Sequence, residues 1–282
     1  MMIHRNSTLR FSRIPGLLRI FLIATTLIAL IAPMNFVFIT PGPATSLFPK
    51  VLQVKSKSYP VNGQLFLLTI YVSNPEGYVP GAEVLGCWAW GDCVALPRSV
   101  MYEDGTTNKK EMSAGTKEMA QSQSGALTAA KKLISKKYPG VDLSQVTDSS
   151  IKISLENTGG PSGGLVFTLG LIDLLTPEDI IDGRKIAGTG TISSDGSIGP
   201  IGGVSEKILG AKKAGATILF VSQENCSELP SEVSGLSVIA VSTIDEVVDY
   251  LTGRPSGALQ GSLSSGKDLN SAGIHGCASV GA

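Results

Sequence analysis

The sequence predicts a mixed domain, α+β or α/β, that follows one long apolar helix. The run Ile20–Ile39 contains 20 residues without a charge. Between Thr40 and Gly253, short apolar strands are interspersed with segments of helical period. Residues 254–282 are rich in Gly and Ser and have no apolar period. We therefore divide the chain into a basic segment (1–19), an apolar helix (20–39), a folded domain (40–253) and a flexible tail (254–282).

The composition excludes several classes of function. The 282 residues include 23 basic and 23 acidic side chains, so the net charge is zero. A nucleic-acid-binding protein would carry a basic surface, and we expect no nucleic-acid partner. The two histidines, His4 and His275, lie at the N-terminus and in the Gly/Ser-rich tail. We therefore exclude a histidine-based catalytic centre and predict neither a metal site nor a cofactor.

The uncharged run Ile20–Ile39 is interpreted as an uncleaved membrane anchor. A helix of this length is ~30 Å long, which matches the thickness of a hydrocarbon core. The run is longer than the apolar core of a cleavable signal peptide, and no Ala-x-Ala site follows it. A buried core helix is the alternative, but basic residues flank only one end. Because four arginines precede the run, we predict a cytoplasmic N-terminus, a cell-membrane span and an extracytoplasmic domain.

The four cysteines leave their oxidation state open. Cys87 and Cys93 are six residues apart, which suits a loop disulfide and two buried thiols equally well. Cys226 and Cys277 have no obvious partners in the sequence.

Strands in the folded domain are predicted from short apolar or alternating runs. The stretch QLFLLTIYV is rich in strand formers, and Ile151–Leu155 alternates apolar with polar residues. The run that begins at Lys185 leads into an Asp-Gly turn. The predicted strands are Gln64–Val72, Ile151–Leu155, Lys185–Ser193, Thr217–Val221 and Leu236–Val241.

Helices are predicted where apolar residues recur at steps of three and four. The first three end at a Pro or Gly, and Thr243 with Glu246 has the spacing of a capping box. The predicted helices are Thr116–Lys137, Ser162–Leu175, Ser205–Ala214 and Thr243–Leu251.

Ser162 lies in a segment, Gly159–Gly164, that contains four glycines and one proline. Glycines let another backbone come close, and a serine at a helix start has free N–H groups around it that can hold an oxyanion. Ser162 is therefore a candidate nucleophile. The alternative is an ordinary helix N-cap, for which serine is a common residue.

Lys207 is predicted in the first turn of a short apolar helix. The helix dipole disfavours a cation at this position, and burial also lowers the pKa of a lysine. A lysine must be neutral to act as a base. The alternative is a solvated helix lysine, like Lys212 and Lys213 on the same segment.

Taken together, these segments resemble the proteolytic domain of the Lon-type serine–lysine peptidases. The resemblance rests on Gly160–Gly164, Ala187–Gly190 and Pro200–Lys207, in the order of the family and at close to its spacing. Thr116–Leu133 is also similar to the helix that precedes the catalytic strand. The similarity covers roughly residues 60–253, and it is strongest to membrane-anchored bacterial proteins in which a PDZ domain accompanies the Lon domain.

The resemblance implies the α+β Lon fold and a role for each matching residue. Ser162 would be the nucleophile, and Lys207 would be the general base. Thr189 corresponds to the threonine that hydrogen-bonds the lysine amine. The oxyanion site is assigned to the backbone around Ser162, at Gly160, Pro161 and Gly163.

Three departures from the family pattern bear on function. Gly159 stands where the usual family motif has an acidic residue, which favours the ATP-independent or anchored branches. We expect no attached ATPase, because the nearest phosphate-loop match, Gly261–Asp268, has Asp where Ser or Thr is required. Only Gly140–Ser150 separates a predicted helix from the next strand, whereas a PDZ domain would need at least ~50 residues.

The sequence thus predicts a membrane-anchored, ATP-independent serine endopeptidase that acts on polypeptides. It would be held in the membrane by Ile20–Ile39. The sequence does not decide whether the chain assembles into a homo-oligomeric ring. One alternative is an anchored binding or scaffold protein with an idle Lon-like fold. Another is a Ser–Lys amidase with a non-peptide substrate. The joint presence of Ser162, Thr189 and Lys207 favours the enzyme.

Overall fold

A computed structural model describes residues 15–55, 57–91, 93–155, 158–253 and 273–277. Most of the basic segment and the stretch Gly261–Asp268 lie outside the described residues. In chain order the elements are α1 (Gly16–Ile31), β1 (Pro33–Met34), β2 (Phe36–Ser46), β3 (Leu52–Val54), β4 (Gln64–Val72), β5 (Val79–Pro80), α2 (Gly81–Trp90), β6 (Val94–Pro97), α3 (Arg98–Met101), α4 (Asn108–Lys137), β7 (Ile151–Ile153), α5 (Gly164–Leu175), β8 (Lys185–Thr189), β9 (Thr191–Ile192), β10 (Ile198–Gly199), α6 (Val204–Lys213), β11 (Ile218–Ser222), β12 (Ser237–Val241), α7 (Ile244–Leu251) and β13 (Gly273–His275).

A seven-stranded mixed sheet forms the centre of the molecule. Its strand order is β13-β12-β11-β8-β4-β2-β6. Neighbouring strands run parallel from β13 to β4, and β2 and β6 complete the sheet with antiparallel pairing. The mixed α+β class predicted from the sequence is confirmed.

Helices cover both faces of this sheet, as buried parallel strands require. Successive residues of β11 alternate between two cores, because side chains of a strand point to opposite faces. Phe220 packs in the core beneath α4, α5 and α7. Leu219 packs in the core beneath α6, against Ile208. The strand β8, which leads to the candidate site, pairs with β11 on one side and β4 on the other, so it lies in the interior of the sheet.

The predicted helix Ile20–Ile39 is wrong beyond Ile31. The helix α1 ends there, and the chain enters β2 at Phe36. Pro33 lacks the N–H that a continuing helix needs, and the β-branched and aromatic residues after it fill the place between β4 and β6. The sheet therefore begins before Thr40. No helix within the described ranges is both long enough and apolar enough to cross a membrane.

The tail also departs from its prediction. Residues 273–275 form β13, which pairs in parallel with β12 at the edge of the sheet. His275 is buried there, so it belongs to the folded domain. Cys277 forms a disulfide with Cys226, although the sequence suggests no partner for either. Cys87 and Cys93 are also disulfide-bonded, which settles the alternative left open above.

Asp173 places a carboxyl group in α5, most of whose residues are buried and apolar. Its Oδ1 accepts hydrogen bonds from the N–H groups of Ile180 (2.7 Å) and Ile181 (3.3 Å). Its Oδ2 is buried and has no hydrogen-bond partner within the described residues. Burial is the main cause that raises the pKa of Asp173 from 3.8 to about 6.

Asp173→Asn is expected to remove a pH dependence of stability. Because the folded pKa lies above the unfolded value, the contribution of Asp173 is complete below pH 3.8 and is lost as the pH rises through about 6. Asparagine keeps the acceptor oxygen and cannot ionise. The free energy of unfolding in urea, variant minus wild type, should therefore be more favourable to the variant at pH 8 than at pH 4 by about 2.5 kcal/mol. A difference between the two proteins that does not change with pH would contradict the raised pKa.

Candidate active site

Ser162 lies on a turn, two residues before α5 begins. The N-cap of α5 is Gly163, and no side chain caps the helix. The helix therefore starts two residues later than predicted. The alternative role of Ser162 as the N-cap is wrong.

The end of β8 holds the peptide group of Ser162 in place. The carbonyl oxygen of Ser162 accepts a hydrogen bond from the N–H of Gly190 (3.0 Å) and a longer one from the Thr189 hydroxyl (3.4 Å). The N–H of Leu165 donates in turn to the carbonyl of Gly190 (3.1 Å). Two of the sequence blocks that suggested the family are thus joined by hydrogen bonds in space.

The helix α4 holds the other side of the serine turn. The N–H of Gly160 donates to the carbonyl of Gly115 (2.9 Å), and the Ser122 hydroxyl donates to the carbonyl of Pro161 (2.9 Å). A Cβ on Gly159 would lie only 3.0 Å from the carbonyl carbon of Gly115. This close approach of two backbones gives a physical reason for glycine at position 159.

Lys207 is buried in α6, with 3% of its surface exposed. Desolvation lowers its pKa to about 8, and the nearby charge of Glu206 opposes this shift in part. Among the described residues, no carboxylate oxygen lies within 4.0 Å of its Nζ. The alternative of a solvated lysine is wrong for Lys207, although Lys212 and Lys213 are indeed exposed.

The turn before α6 positions this lysine. Gly203 is the N-cap of α6 and has a φ of 69°, a left-handed conformation that favours glycine. The buried side chain of Asn225 accepts a hydrogen bond from the N–H of Ile201 (3.0 Å) and donates one to the Ile201 carbonyl (2.8 Å). Asn225 therefore fixes the segment that leads to Lys207.

Ser162 and Lys207 line the same cleft, which has a volume of about 870 Å³. A second cleft of about 720 Å³ shares part of its wall and extends past Tyr102 and Glu111. One wall of the first cleft is the C-terminal half of β4. The two clefts adjoin each other along this shared wall, which includes Met119, Gly159 and Gly160.

The central region of the chain, which contains this site, matches a known protein family. Residues 103–253 match the family model described as the Lon protease (S16) C-terminal proteolytic domain. The match covers slightly more than half of the chain. The chain belongs to the Lon protease family.

Three relatives illustrate the extent of the similarity. Lon protease 2 of Herpetosiphon aurantiacus is 32% identical over 166 residues, which cover 56% of this chain and 20% of that protein. Lon protease 2 of Bacillus subtilis is 35% identical over 96 residues, or 34% of this chain and 17% of that protein. Lon protease of Clostridium beijerinckii is 39% identical over 93 residues, or 32% and 11%. The chain thus spans a fifth or less of the length of these relatives.

In this Lon domain, only some of the backbone N–H groups near Ser162 are free to bind an oxyanion. Gly160 donates its N–H to Gly115, and Pro161 has no N–H, so neither can supply one in this conformation. The N–H groups of Ser162 and Gly163 make no hydrogen bond within the part of the chain that the structure describes. Of the predicted backbone groups, Gly163 therefore remains, together with Ser162 itself.

Thr189 lies beneath the Lon site and does not line its cleft. Its side chain is buried at the end of β8, and its hydroxyl donates to the Ser162 carbonyl. The predicted hydrogen bond between Thr189 and the Lys207 amine stays a prediction, since a hydroxyl that donates one bond can still accept another.

His275 cannot join this Lon site, although it belongs to the fold. Its strand β13 is separated from β8 by β12 and β11, and three strand spacings are roughly 14 Å. Distance therefore excludes His275 as a partner for Ser162, although this histidine belongs to the folded domain.

Proposed function

We propose that this chain is a serine endopeptidase that cleaves polypeptides with a Ser162–Lys207 dyad. The observation that carries the proposal is the cleft that Ser162 shares with a buried lysine of lowered pKa. Perturbed pKa values concentrate at catalytic sites, because burial and charge are arranged there to suit the chemistry. Membership of the Lon family supports the same reaction.

The geometry supports the following mechanism. The neutral amine of Lys207 takes the hydroxyl proton of Ser162 as Oγ attacks the scissile carbonyl. The N–H groups of Ser162 and Gly163 stabilise the oxyanion that forms. The Lys207 ammonium then protonates the leaving amine, and an acyl-enzyme remains on Ser162. Water activated by the same amine hydrolyses this ester and restores both groups.

The wall formed by β4 supports a polypeptide as the substrate. The pairing of β8 with β4 stops at Leu67, so residues 68–72 have no partner strand on that side within the described residues. Residues 67–72 line the cleft beside Ser162. An extended peptide can therefore add to this edge by main-chain hydrogen bonds.

We also propose that hydrolysis by this chain requires no ATP. Gly159 replaces the acidic residue of the usual family motif, and the structure shows a close backbone contact in its place. The purified full chain should cleave casein, an unfolded polypeptide, at equal rates with and without ATP and Mg²⁺. Mass spectrometry of the new N-termini is the measurement. Cleavage only with ATP would contradict ATP independence, and no cleavage would favour an idle scaffold.

The proposed location is the outer side of the cell membrane, with α1 as the attachment. Every residue from Gly16 to Ala29 is exposed, although α1 is almost wholly apolar. Two disulfides support an oxidising compartment for the domain. Protease added to spheroplasts should therefore digest a tag on the C-terminus. A tag that resists digestion until the cells are lysed would reverse the proposed topology.

A further inference from the structure

The helix α2 exposes large apolar side chains to the surroundings. Leu85, Trp88 and Trp90 are exposed by 54%, 65% and 80%. The residues of α2 that face inward are Gly81, Val84 and Cys87. Exposed apolar surface of this kind normally marks a contact with another molecule or with a membrane.

This surface adjoins the end of α1. The N–H of Gly81 donates to the carbonyl of Ala32 (3.2 Å), and a Cβ on Gly81 would clash with the Ala29 carbonyl oxygen. The strands β1 and β5, which follow α1 and precede α2, pair with each other. The end of α1 therefore packs against the start of α2.

The exposure of α1 indicates what covers this surface. A protein partner or a second copy of the chain would cover one face of a helix. Every residue of α1 from Gly16 to Ala29 is exposed, and apolar surface on all sides of a helix calls for an apolar medium, as a bilayer provides. Tryptophan is enriched at the membrane–water interface, because its ring is apolar and its N–H is polar.

We propose that α2 is a second membrane contact, which lies in the interfacial region of the bilayer with Trp88 and Trp90 among the lipids. The proposal rests on the proposed attachment of the chain through α1. Glu83 is the one charged residue of α2, and it lies in the first turn, away from the two tryptophans at the other end. The disulfide between Cys87 and Cys93 closes the segment after the helix. With two contacts, through α1 and through α2, the domain would be held in one orientation relative to the membrane surface.

The two tryptophans of α2 are the only ones in the chain, so tryptophan emission reports on this helix alone. The full chain is reconstituted into phosphatidylcholine–phosphatidylglycerol vesicles that carry bromine either near the carbonyl or near the end of the acyl chain. Bromine quenches tryptophan on contact. We expect loss of most of the emission with the shallow bromine, a smaller loss with the deep bromine, and protection from aqueous iodide. Trp88→Phe and Trp90→Phe assign the signal to each ring without removing an apolar side chain.

Flotation of the same vesicles separates this proposal from the attachment on which it rests. If the protein floats and iodide quenches while bromine does not, the contact by α2 is overturned and the attachment stands. If neither quencher acts on the floating protein, a protein surface covers α2, which also overturns the proposal. If the protein does not float, the proposed attachment fails and the contact by α2 fails with it.

Discussion

Ser162→Ala is expected to reduce peptide hydrolysis by about 10⁴-fold or more, because the proposed mechanism forms its acyl-enzyme on the Ser162 oxygen. The fold should survive the change. Within the described residues, Ser162 is held through its backbone carbonyl, and its hydroxyl makes no hydrogen bond. Loss of this oxygen should therefore change the free energy of unfolding by less than ~1 kcal/mol.

The measurement is kcat/KM on one fluorogenic peptide, together with the midpoint of thermal unfolding. Ser193→Ala is a matched control, since Ser193 is exposed on the loop beyond β9. We expect wild-type activity from the control and a wild-type unfolding midpoint from both variants. Near-normal hydrolysis by Ser162→Ala protein, purified from a strain without other serine peptidases, would remove Ser162 from the mechanism.

Lys207→Arg is expected to be inactive, and the wild type should gain activity with rising pH. Lys207 acts as a base only when neutral, and its pKa is about 8. Roughly a tenth of the enzyme is then active at pH 7, and activity reaches a plateau above pH 9. Arginine keeps the positive charge but does not deprotonate in this range. If charge alone mattered, the arginine variant would keep much of its activity.

Lys207→Met is a second variant that tests the same role if Lys207→Arg fails to fold. A permanent cation in this buried position destabilises the fold, whereas the methionine side chain is apolar and flexible enough to pack there. Lys212→Arg is the matched control on the exposed face of α6. The pH profile of kcat/KM is measured for all four proteins on one peptide. Activity in either Lys207 variant, or a flat wild-type profile between about pH 6 and 9, would leave Ser162 without its proposed base.

Much of the central domain was predictable from local pattern. The bounds of β4 agree with the prediction, and α5, β12 and α7 begin within two residues of it. Each of these segments combines a clear apolar period with a defined start or stop. The candidate residues Ser162 and Lys207 were singled out through their glycine-rich surroundings, which the structure explains by the hydrogen bonds of Gly190 and the conformation of Gly203.

The failures concern pairing between distant parts of the chain. The apolar run before Thr40 suits a helix and a strand alike, and the outcome depends on β4 and β6, which lie further along the sequence. The three-residue strand β13 has no local signal, since β12 and the disulfide to Cys226 define it. Asn225 and Ser122 were not found, because their importance lies in which backbone groups they reach.

The contact between Gly115 and Gly159 has a consequence for which substitutions this chain can accept. A side chain at 159 would require the facing backbone at Gly115 to shift by a few tenths of an ångström, and that shift would disturb the hydrogen bond from Gly160 to Gly115 that helps to hold the serine turn. The two positions therefore share one steric constraint, although 44 residues separate them along the sequence. Substitutions at 115 and 159 should have non-additive effects on activity, as neighbouring residues do. An acidic residue at 159 would therefore call for a compensating adjustment of the backbone at Gly115.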